Sequence, residues 1–375
     1  MKDMKKLGFG LMRLPQTDAN DPTSIDIERT KEMVDLFMQR GFTYFDTAYP
    51  YHGGASESAL RQAVVERYPR DRYTVTSKLP CWLINSQDDM ERIFNEQLTR
   101  CGIDYFDYYW LHALNPDYTR IMDEHDGWGF IARKKQEGRI RHIGFSFHGD
   151  SQLLKQLLSA HPEVEYVQLQ INYLDWDSPA IEAHTCYDIC TRHGKPVIVM
   201  EPVRGGALAR VPQAVSDLFT AHHPTASAAS WAIRYVASLP NVMMVLSGMS
   251  DLEQVADNTS YMQDFQALDA QEQAIVSQAS QLMREAIAIP CTACHYCTDG
   301  CPQNICIPEY FNVYNSLHML GEAYKGNSQM YYNLHAKSHG RANECIACGQ
   351  CEAHCPQGID IIEQLRVVAE TFESR

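Results

Sequence analysis

The stretch YFDTAYPYHGGASESALRQAVVERY, residues 44–68, combines the two patterns that decide the fold of this chain. It begins with a short β-rich run, YFDTA, and ends with ESALRQAVVERY, whose apolar residues recur at helical spacing. The same combination returns along the first 285 residues. Further β-rich runs are KLGFGLM, YTVTSKL, FDYYWLH, HIGFSFH, YVQLQIN, PVIVMEP and VMMVLSG. Eight strands of buried type that alternate with helices predict an α/β fold, the parallel (β/α)8 TIM barrel.

A doubly wound parallel sheet is the alternative fold, because it is built from the same alternation of strands and helices. Its dinucleotide-binding fingerprint needs three glycines at fixed spacing. The stretch GFGLMR, residues 8–13, has two glycines and no third. The barrel is therefore the favoured prediction for residues 1–285.

The composition limits the classes of partner and compartment. The chain has 375 residues, 45% of them hydrophobic, and a formal net charge of −15. This composition supports a large core, and the negative charge argues against sequence-independent binding to nucleic acid. The sequence has neither a signal-peptide pattern nor an apolar run as long as the roughly 18 residues of a membrane-spanning helix. We expect a cytoplasmic protein, in which the 13 cysteines are metal ligands or buried thiols rather than disulfides.

Two cysteine runs near the C-terminus share the form C-x2-C-x2-C-x3-C-P: CTACHYCTDGCP, residues 291–302, and CIACGQCEAHCP, residues 345–356. This is the bacterial ferredoxin pattern for [4Fe–4S] clusters. The first three cysteines of a run can reach three corners of one cubane, whereas the fourth can ligate the other cluster. The predicted ligand sets are Cys291, Cys294, Cys297 and Cys355 for one cluster, and Cys345, Cys348, Cys351 and Cys301 for the other.

Structural zinc is the alternative for these cysteines. It is less favoured, because zinc sites usually consist of two C-x2-C pairs separated by a longer loop. The residues between the two runs have apolar side chains at roughly helical spacing. We therefore predict a small, mostly helical, two-cluster ferredoxin-like domain over residues 286–375.

Four polar side chains stand at successive strand ends of the predicted barrel, where barrel enzymes carry their chemistry. Asp46 and Tyr51 follow the second strand, Lys78 ends the third, and His112 ends the fourth. Together they form a plausible proton-transfer unit with Tyr51 as the acid. A free phenol has a pKa of about 10, and we expect the Lys78 ammonium to lower it while Asp46 keeps Lys78 charged.

The segments FDTAYPYHGGASE, TSKLP and DYYWLHAL resemble the catalytic segments of the aldo-keto reductases. These (β/α)8 enzymes pass a hydride between a nicotinamide and a carbonyl carbon. The resemblance covers roughly residues 5 to 260 and implies that Tyr51 is the general acid, with Asp46, Lys78 and His112 as its partners. It also implies a small carbonyl or alcohol substrate. The complete chain is similar to a bacterial branch in which a two-cluster ferredoxin domain follows the barrel.

The resemblance also implies which positions face the nicotinamide cofactor. They are Ser146, Gln170, Met200, Arg204, Gly248, Ser250, Gln254 and Asn258. Ser146 and Gln170 match the family at the carboxamide edge, whereas Phe147 replaces its usual asparagine. Gly248 or Ser250 stands where a lysine or arginine usually contacts the 2′-phosphate of NADPH. This departure favours NADH slightly, with Arg204 as the cation that could substitute.

Two functions follow from these patterns. In the first, the chain is an iron–sulfur oxidoreductase that interconverts a carbonyl and an alcohol with NAD(H) or NADP(H) and exchanges single electrons with a redox protein through two [4Fe–4S] clusters. A nicotinamide moves two electrons as hydride, so a flavin is kept open as a mediator although the sequence has no flavin signature. In the second, the chain is an electron-transfer or docking protein whose barrel is a modified scaffold.

Overall fold

The computed structural model describes residues 4–18, 21–178, 181–320 and 325–373. The chain forms two compact units. The first consists of residues 1–177, 182–202 and 232–268, and the second of residues 178–181, 203–231 and 269–375. The predicted division into residues 1–285 and 286–375 falls at the C-terminal end of a helix, Ala270–Ala286, and stays a prediction.

The first unit contains a closed barrel of eight parallel strands in chain order. The strands are β1 Leu7–Gly10, β2 Tyr44–Asp46, β3 Thr74–Pro80, β4 Phe106–Leu114, β5 Ile140–Phe147, β6 Tyr166–Gln170, β7 Val197–Met200 and β8 Val242–Ser247. Each of the eight predicted strand runs overlaps one of them. Strand β1 closes the barrel against β8, with Leu7 opposite Val245. The (β/α)8 prediction is confirmed, and the doubly wound alternative is wrong because an open sheet has no such closing pair.

The helices of the first unit follow these strands along the chain. They are α1 Ile27–Gln39, α2 Ser56–Leu60, α3 Gln87–Cys101, α4 Pro116–Glu124, α5 Gly127–Gln136, α6 Ser151–Ala160, α7 Ala183–Arg192 and α10 Leu252–Met262. Local chemistry sets their ends. Helix α3 begins where the Ser86 hydroxyl accepts from the Asp89 amide, and it ends at Gly102 in the left-handed conformation, φ 69°.

Large rings fill the amino-terminal half of the barrel. A buried cluster includes Tyr44, Tyr108, Trp110 and Tyr166. Gly144 of β5 makes room for it, because a Cβ there would lie 2.4 Å from the Tyr166 carbonyl oxygen and 2.5 Å from the Trp110 ring. The filled interior leaves the carboxyl ends of the strands as the place for a ligand.

The second unit is helical, as predicted for the C-terminal region. Its helices are α8 Gln213–His222, α11 Ala270–Ala286, α12 Ile307–Leu320, α13 Lys325–His335, α14 Gln350–Ala353 and α15 Ile361–Phe372, and helix α9, Ala228–Ala237, begins in it. Tyr332 stacks on Phe372 and packs on Tyr310 within its core. Among the described residues, no helix has the length and apolar character needed to cross a lipid bilayer.

Candidate functional site

The four residues predicted for proton transfer lie together at the carboxyl end of the barrel. Asp46 is the last residue of β2, and Lys78 and His112 belong to β3 and β4. Tyr51 begins the 3-10 turn Tyr51–Gly54 that follows β2. His52 in this turn has a left-handed conformation, φ 54°, and its Nε2 accepts from the Leu14 amide at 3.0 Å. This contact connects the turn to the loop between β1 and α1. It thereby restrains the backbone position of Tyr51.

Asp46 and Lys78 form a buried ion pair. The Lys78 Nζ donates to Asp46 Oδ1 at 2.7 Å and to the Thr47 carbonyl at 2.8 Å. The two residues are 3% and 1% exposed. Burial raises the pKa of Asp46 and lowers the pKa of Lys78, while the attraction between the two charges opposes both shifts. The pair therefore places a fixed positive charge below the turn that carries Tyr51.

A buried network of polar side chains contacts the backbone around Lys78. The Gln97 side chain donates to the Lys78 carbonyl at 3.0 Å and to Glu57 at 2.7 Å. Glu57 also accepts from the Ser77 hydroxyl at 2.8 Å, and Gln97 Oε1 accepts from the Tyr109 hydroxyl at 2.5 Å. These contacts join α2, α3 and two strands. Because they restrain the backbone on both sides of the lysine, they support the geometry of the ion pair.

The pKa of Tyr51 is raised well above its ordinary value. Burial contributes most, followed by the negative charges of Asp46 and Glu201, while Arg13 opposes the rise. The Lys78 Nζ lies 4.8 Å from the centre of the Tyr51 ring. The expectation of a lowered Tyr51 pKa is wrong, because burial and the two carboxylates outweigh the opposing positive charge. Tyr51 consequently keeps its proton over the whole neutral range.

His112 completes the group, with its ring centre 6.1 Å from that of Tyr51. Its pKa lies well below the ordinary value, because burial disfavours the charged ring and Lys78 and His148 repel it. Within the described ranges, neither His112 Nδ1 nor Asp46 Oδ2 has a hydrogen-bond partner. Buried polar atoms are almost always paired, so two orphaned atoms at a strand-end site fit a polar ligand.

The predicted carboxamide contacts stand on the next strands of the barrel. Ser146 of β5 accepts at its hydroxyl from the Ala113 amide at 2.7 Å. Gln170 ends β6 and Met200 ends β7. Phe147, which replaces the usual asparagine, is buried beside Phe145, with ring centres 6.0 Å apart. The structure therefore aligns Ser146, Gln170 and Met200 along consecutive strand ends.

Of the other predicted cofactor contacts, Gly248 and Ser250 lie in the loop between β8 and α10, and Gln254 and Asn258 lie in α10. The Ser250 amide donates to Gln254 Oε1 at 2.9 Å, and Asn258 Nδ2 donates to the Ser247 hydroxyl at 2.9 Å. The Ser250 hydroxyl donates to the carbonyl of Arg13 at 2.8 Å. These bonds order the β8–α10 loop around Gly248.

Arg13 is a residue that the sequence reasoning missed. A Cβ at Gly248 would lie 3.3 Å from Arg13 Cδ, so the arginine occupies the space beside that glycine. Its Nη2 is 3.8 Å from Glu201 Oε1 and is buried without a hydrogen-bond partner in the part of the chain that the structure describes. The arginine stands in the stretch GFGLMR, whose glycine spacing does not indicate a role for it. It brings a cation to the loop where Gly248 and Ser250 lack one.

The eight cysteines of the two runs surround two cavities in the second unit. One cavity is lined by Cys291, Cys294, Cys297 and Cys355, and we call it the first cluster cavity. The second cluster cavity is lined by Cys301, Cys345, Cys348 and Cys351. Each cavity thus takes three cysteines from one run and the fourth from the other. These are the two sets predicted from the spacing, and both fit a four-cysteine cluster.

The two cavities differ in exposure. Cys348 in the second cluster cavity is exposed, and its neighbour Ile346 is 58% exposed. The cysteines of the first cluster cavity are buried or half-buried. Burial raises the pKa of Cys291 to about 12, although the nearby Arg204 opposes the rise. A ligand that binds thiolates must therefore overcome this desolvation in the first cavity.

Arg204, predicted as a cofactor contact, lies against the first cysteine run in the second unit. It is 2% exposed, and its Nη2 donates to the Pro290 carbonyl at 2.7 Å. The next residue, Gly205, has φ 62°, and a Cβ there would lie 2.0 Å from the Thr292 carbonyl oxygen. The turn beginning at Arg204 thus packs backbone to backbone on the loop that carries Cys291.

Comparisons with known proteins agree with this architecture. A model of the aldo/keto reductase family matches residues 6–281, and a model of the 4Fe-4S dicluster domain matches residues 290–359. An aldo-keto reductase of Mycolicibacterium smegmatis is 27% identical over 260 residues, which are 65% of this chain and 84% of that relative.

Solved structures are similar at the level of the fold. An aldo-keto reductase from Klebsiella pneumoniae, described as a complex with NADPH, has a TM-score of 0.58 and 22% identity, over 75% of this chain and 91% of that one. The holo form of an aldo-keto reductase from Bacillus halodurans also has a TM-score of 0.58 and 22% identity, over 73% and 91% of the two chains.

Proposed function

The chain belongs to the aldo/keto reductase family, and we propose that its barrel reduces a small carbonyl compound with Tyr51 as the proton donor. It is an oxidoreductase with a 4Fe-4S dicluster domain after the barrel. The observation that carries the proposal is the buried Asp46–Lys78 ion pair below Tyr51 and beside His112. A barrel that served only as a scaffold would have no need of this pair, because burying two charges costs several kcal/mol per ion before their attraction is counted.

The four side chains divide the proton chemistry among them. A bound nicotinamide would supply the hydride to the carbonyl carbon. His112, whose low pKa keeps it neutral, would hydrogen-bond the carbonyl oxygen and orient it. Tyr51 would transfer its hydroxyl proton to that oxygen as negative charge develops there. Lys78 would stabilise the phenolate that remains, and Asp46 would hold the ammonium in place. Carbonyl, hydride and proton then sum to the alcohol.

The tyrosine role has a direct test with a matched control. Tyr51→Phe should lower kcat with 4-nitrobenzaldehyde by roughly 10²- to 10⁴-fold, the usual contribution of a general acid. Tyr49→Phe is the control, because Tyr49 belongs to the same loop but donates to Glu96 at 3.0 Å. Iron and sulfide contents should be unchanged in both variants. Turnover by Tyr51→Phe at the rate of the control would contradict the proposed acid.

We propose NADP(H) or NAD(H) as the cofactor, with Arg13 as a cation for its phosphates. Arg13 lies beside Gly248, whose position lacks the basic residue usual in the family. The Klebsiella pneumoniae structure is described as a complex with NADPH, which supports a cofactor that carries the 2′-phosphate. A hydrogen bond to a charged group contributes about 1.5–3 kcal/mol, so Arg13 weakens the argument for NADH drawn from Gly248 and Ser250.

Binding of the two cofactors measures the contribution of Arg13. Arg13→Met should raise the Kd for NADPH by roughly 10- to 100-fold, as expected for one lost charge-assisted contact. If the guanidinium contacts the 2′-phosphate, the Kd for NADH should change much less. The control is Arg120→Met, since Arg120 is exposed and pairs with Glu124 within its own helix. Equal affinities in Arg13→Met and the control would remove Arg13 from the site.

We propose that the two cavities hold two [4Fe–4S] clusters, on the ligand sets given above. The apolar lining beside the cysteines, including Ile307 and Phe311 in the first cavity, suits a sulfide-rich group. The exposed edge at Ile346 and Cys348 favours the second cavity as the place where electrons pass to a redox protein. Anaerobically purified protein should contain close to eight iron and eight sulfide per chain, the content of two cubanes; zinc in their place would contradict the proposal.

The buried guanidinium of Arg204 would act on the first cluster. It binds the Pro290 carbonyl, one residue before Cys291, and it opposes the rise in the pKa of that thiol. A buried positive charge stabilises the more negative, reduced state of a neighbouring cluster. Arg204 is thus proposed to raise the reduction potential of the first cluster instead of binding the nicotinamide cofactor.

The hydride moves two electrons, whereas each cluster exchanges one. A flavin bound by the barrel would join the two reactions. Assay of flavin and nicotinamide in the same anaerobic preparation distinguishes this arrangement from one in which the clusters act without a flavin. The alternative of an electron-transfer scaffold predicts intact clusters and no carbonyl turnover with either NADH or NADPH.

A further inference from the structure

Three metal-ligating side chains meet in the second unit, and none of the three lines either cluster cavity. Helix α8 ends at His222, and His223 is the residue that caps its C-terminus. Glu272 lies in the first turn of α11. One ligand atom from each of these three residues lies within 4.8 Å of the other two. Local sequence pattern does not reveal this group, because 49 positions separate His223 from Glu272.

The carboxylate of Glu272 is held in position. The residue is 4% exposed. Its Oε2 accepts from the Asp269 amide at 3.0 Å in a capping box, and its Oε1 lies 3.1 Å from His223 Nε2. A backbone donor that orients a carboxylate is the usual outer-sphere support of a metal ligand. The capping box therefore points one oxygen of Glu272 at the histidines whether or not a metal is bound.

The two imidazoles are adjacent and supported on one side. The ring centres of His222 and His223 are 4.6 Å apart, with their planes at 74°. Trp231 lies 5.9 Å from the first ring and 5.8 Å from the second. Trp231 is itself buried and stacks on Phe219 at 4.7 Å. A rigid aromatic wall behind the histidines limits the directions in which their nitrogens can turn.

We propose that His222, His223 and Glu272 bind a divalent transition metal, with zinc as the ion of best fit. Imidazole nitrogens and a carboxylate suit Zn²⁺, whereas Mg²⁺ and Ca²⁺ prefer all-oxygen ligands. Tetrahedral zinc sets its ligand atoms about 3.3 Å apart, so the side chains must close by up to about 1.5 Å. Rotation of the partly exposed His222 and His223 supplies this movement, and water takes the fourth position.

The bound ion would cross-link the end of α8 to the start of α11. Both helices belong to the second unit and pack on each other. A ligand that binds the folded state alone raises the unfolding temperature. Zinc at this site would therefore stabilise the helical segment that precedes the cluster region, without taking part in the redox chemistry.

Calorimetric titration of the cluster-loaded protein with zinc sulfate under anaerobic conditions tests the proposal. The wild type should bind one Zn²⁺ per chain and gain thermal stability. His222→Gln, His223→Gln and Glu272→Gln should each weaken binding by roughly tenfold or more. Glu272→Gln keeps a side chain able to form the capping box, so its effect separates charge from helix capping.

The matched control is His193→Gln, because His193 caps the C-terminus of α7 as His223 caps that of α8. This control should bind zinc like the wild type. The iron content must stay constant during the titration, which excludes displacement of iron from the cysteines. Equal zinc affinity in His223→Gln and the control, or no binding by the wild type at millimolar zinc, would overturn the proposal.

Discussion

Replacement of Lys78 by methionine probes the buried ion pair that the proposed chemistry depends on. The change Lys78→Met removes the ammonium but keeps an unbranched apolar side chain of similar length. Asp46, which is 3% exposed, then stays buried but loses the Lys78 Nζ donor that lies 2.7 Å from its Oδ1 in the wild type. We expect loss of carbonyl reduction, because no charge remains to stabilise the phenolate of Tyr51, together with a large loss of stability.

The size of the stability loss follows from two routes open to Asp46. If the carboxylate stays charged, breaking a buried pair by removing one partner costs about 3–5 kcal/mol. If it takes up a proton at pH 7, the cost relative to an unfolded carboxyl with pKa near 3.9 is about 4 kcal/mol, at 1.36 kcal/mol per pH unit. The folded protein adopts whichever protonation state of Asp46 costs less free energy. Since the two costs are similar, the expected loss of stability is about 4 kcal/mol. For a domain of this size, that corresponds to roughly 8–16 °C in Tm.

The loss should depend on pH in a defined direction. With Lys78 gone, burial still raises the pKa of Asp46 in the folded protein above its value in the unfolded chain. The contribution of Asp46 to stability is therefore retained below the unfolded-state pKa. It is lost as the pH rises through the folded-state pKa. The stability gap between wild type and Lys78→Met should therefore narrow by about 1.4 kcal/mol per pH unit as the pH falls from 7 toward 5.

Thermal unfolding followed by circular dichroism, at equal iron content and one scan rate, measures this gap. The double variant Asp46→Asn/Lys78→Met removes both charges and should recover most of the lost stability but none of the activity. Two results would refute the reasoning. One is a Tm within a degree or two of wild type for Lys78→Met, and the other is a double variant as unstable as the sum of the single variants.

Two further predictions concern the turn that packs on the first cysteine run. Arg204→Met should shift the reduction potential of one cluster to more negative values, with the other unmoved, in a potentiometric titration followed by electron paramagnetic resonance; equal potentials in variant and wild type would contradict the electrostatic role. Gly205→Ala should lower the iron content, because its Cβ would lie 2.0 Å from the Thr292 carbonyl oxygen. Gly206→Ala is its control, since Gly206 shares the positive φ, at 98°, but has no atom within 4 Å of an added Cβ; equal iron losses in the two variants would refute the clash.

Most of the fold could be predicted from local pattern. The eight strands lie where short β-rich runs alternate with helices, and barrel closure follows from that repetition. The grouping of cysteines into two sets could also be predicted, because the reach of a short loop and the following proline restrict which sulfurs can meet. In both cases the decisive information lies within a few residues of the element concerned.

The rest depends on contacts between distant parts of the chain. Arg13 reaches the β8–α10 loop only because β1 closes the barrel against β8, and 237 positions separate it from Ser250. The direction of the Tyr51 pKa shift depends on its burial and on the nearby carboxylates of Asp46 and Glu201, which strand order alone does not give. The placement of Arg204 depends on the packing of a turn on the Pro290 loop.

The crossed grouping of the cysteines has a consequence for biosynthesis. The first cluster cavity lacks its fourth sulfur until Cys355 has been made, although Cys291, Cys294 and Cys297 emerge more than fifty residues earlier. The second cavity likewise draws Cys301 from the earlier run. On the proposed ligation, neither cluster can be completed while the chain is still being extended through the segment between the runs. Iron delivery would then act as a late quality check, because a chain truncated before residue 351 has no complete set of ligands for either cluster, and one truncated before residue 355 still lacks the first set.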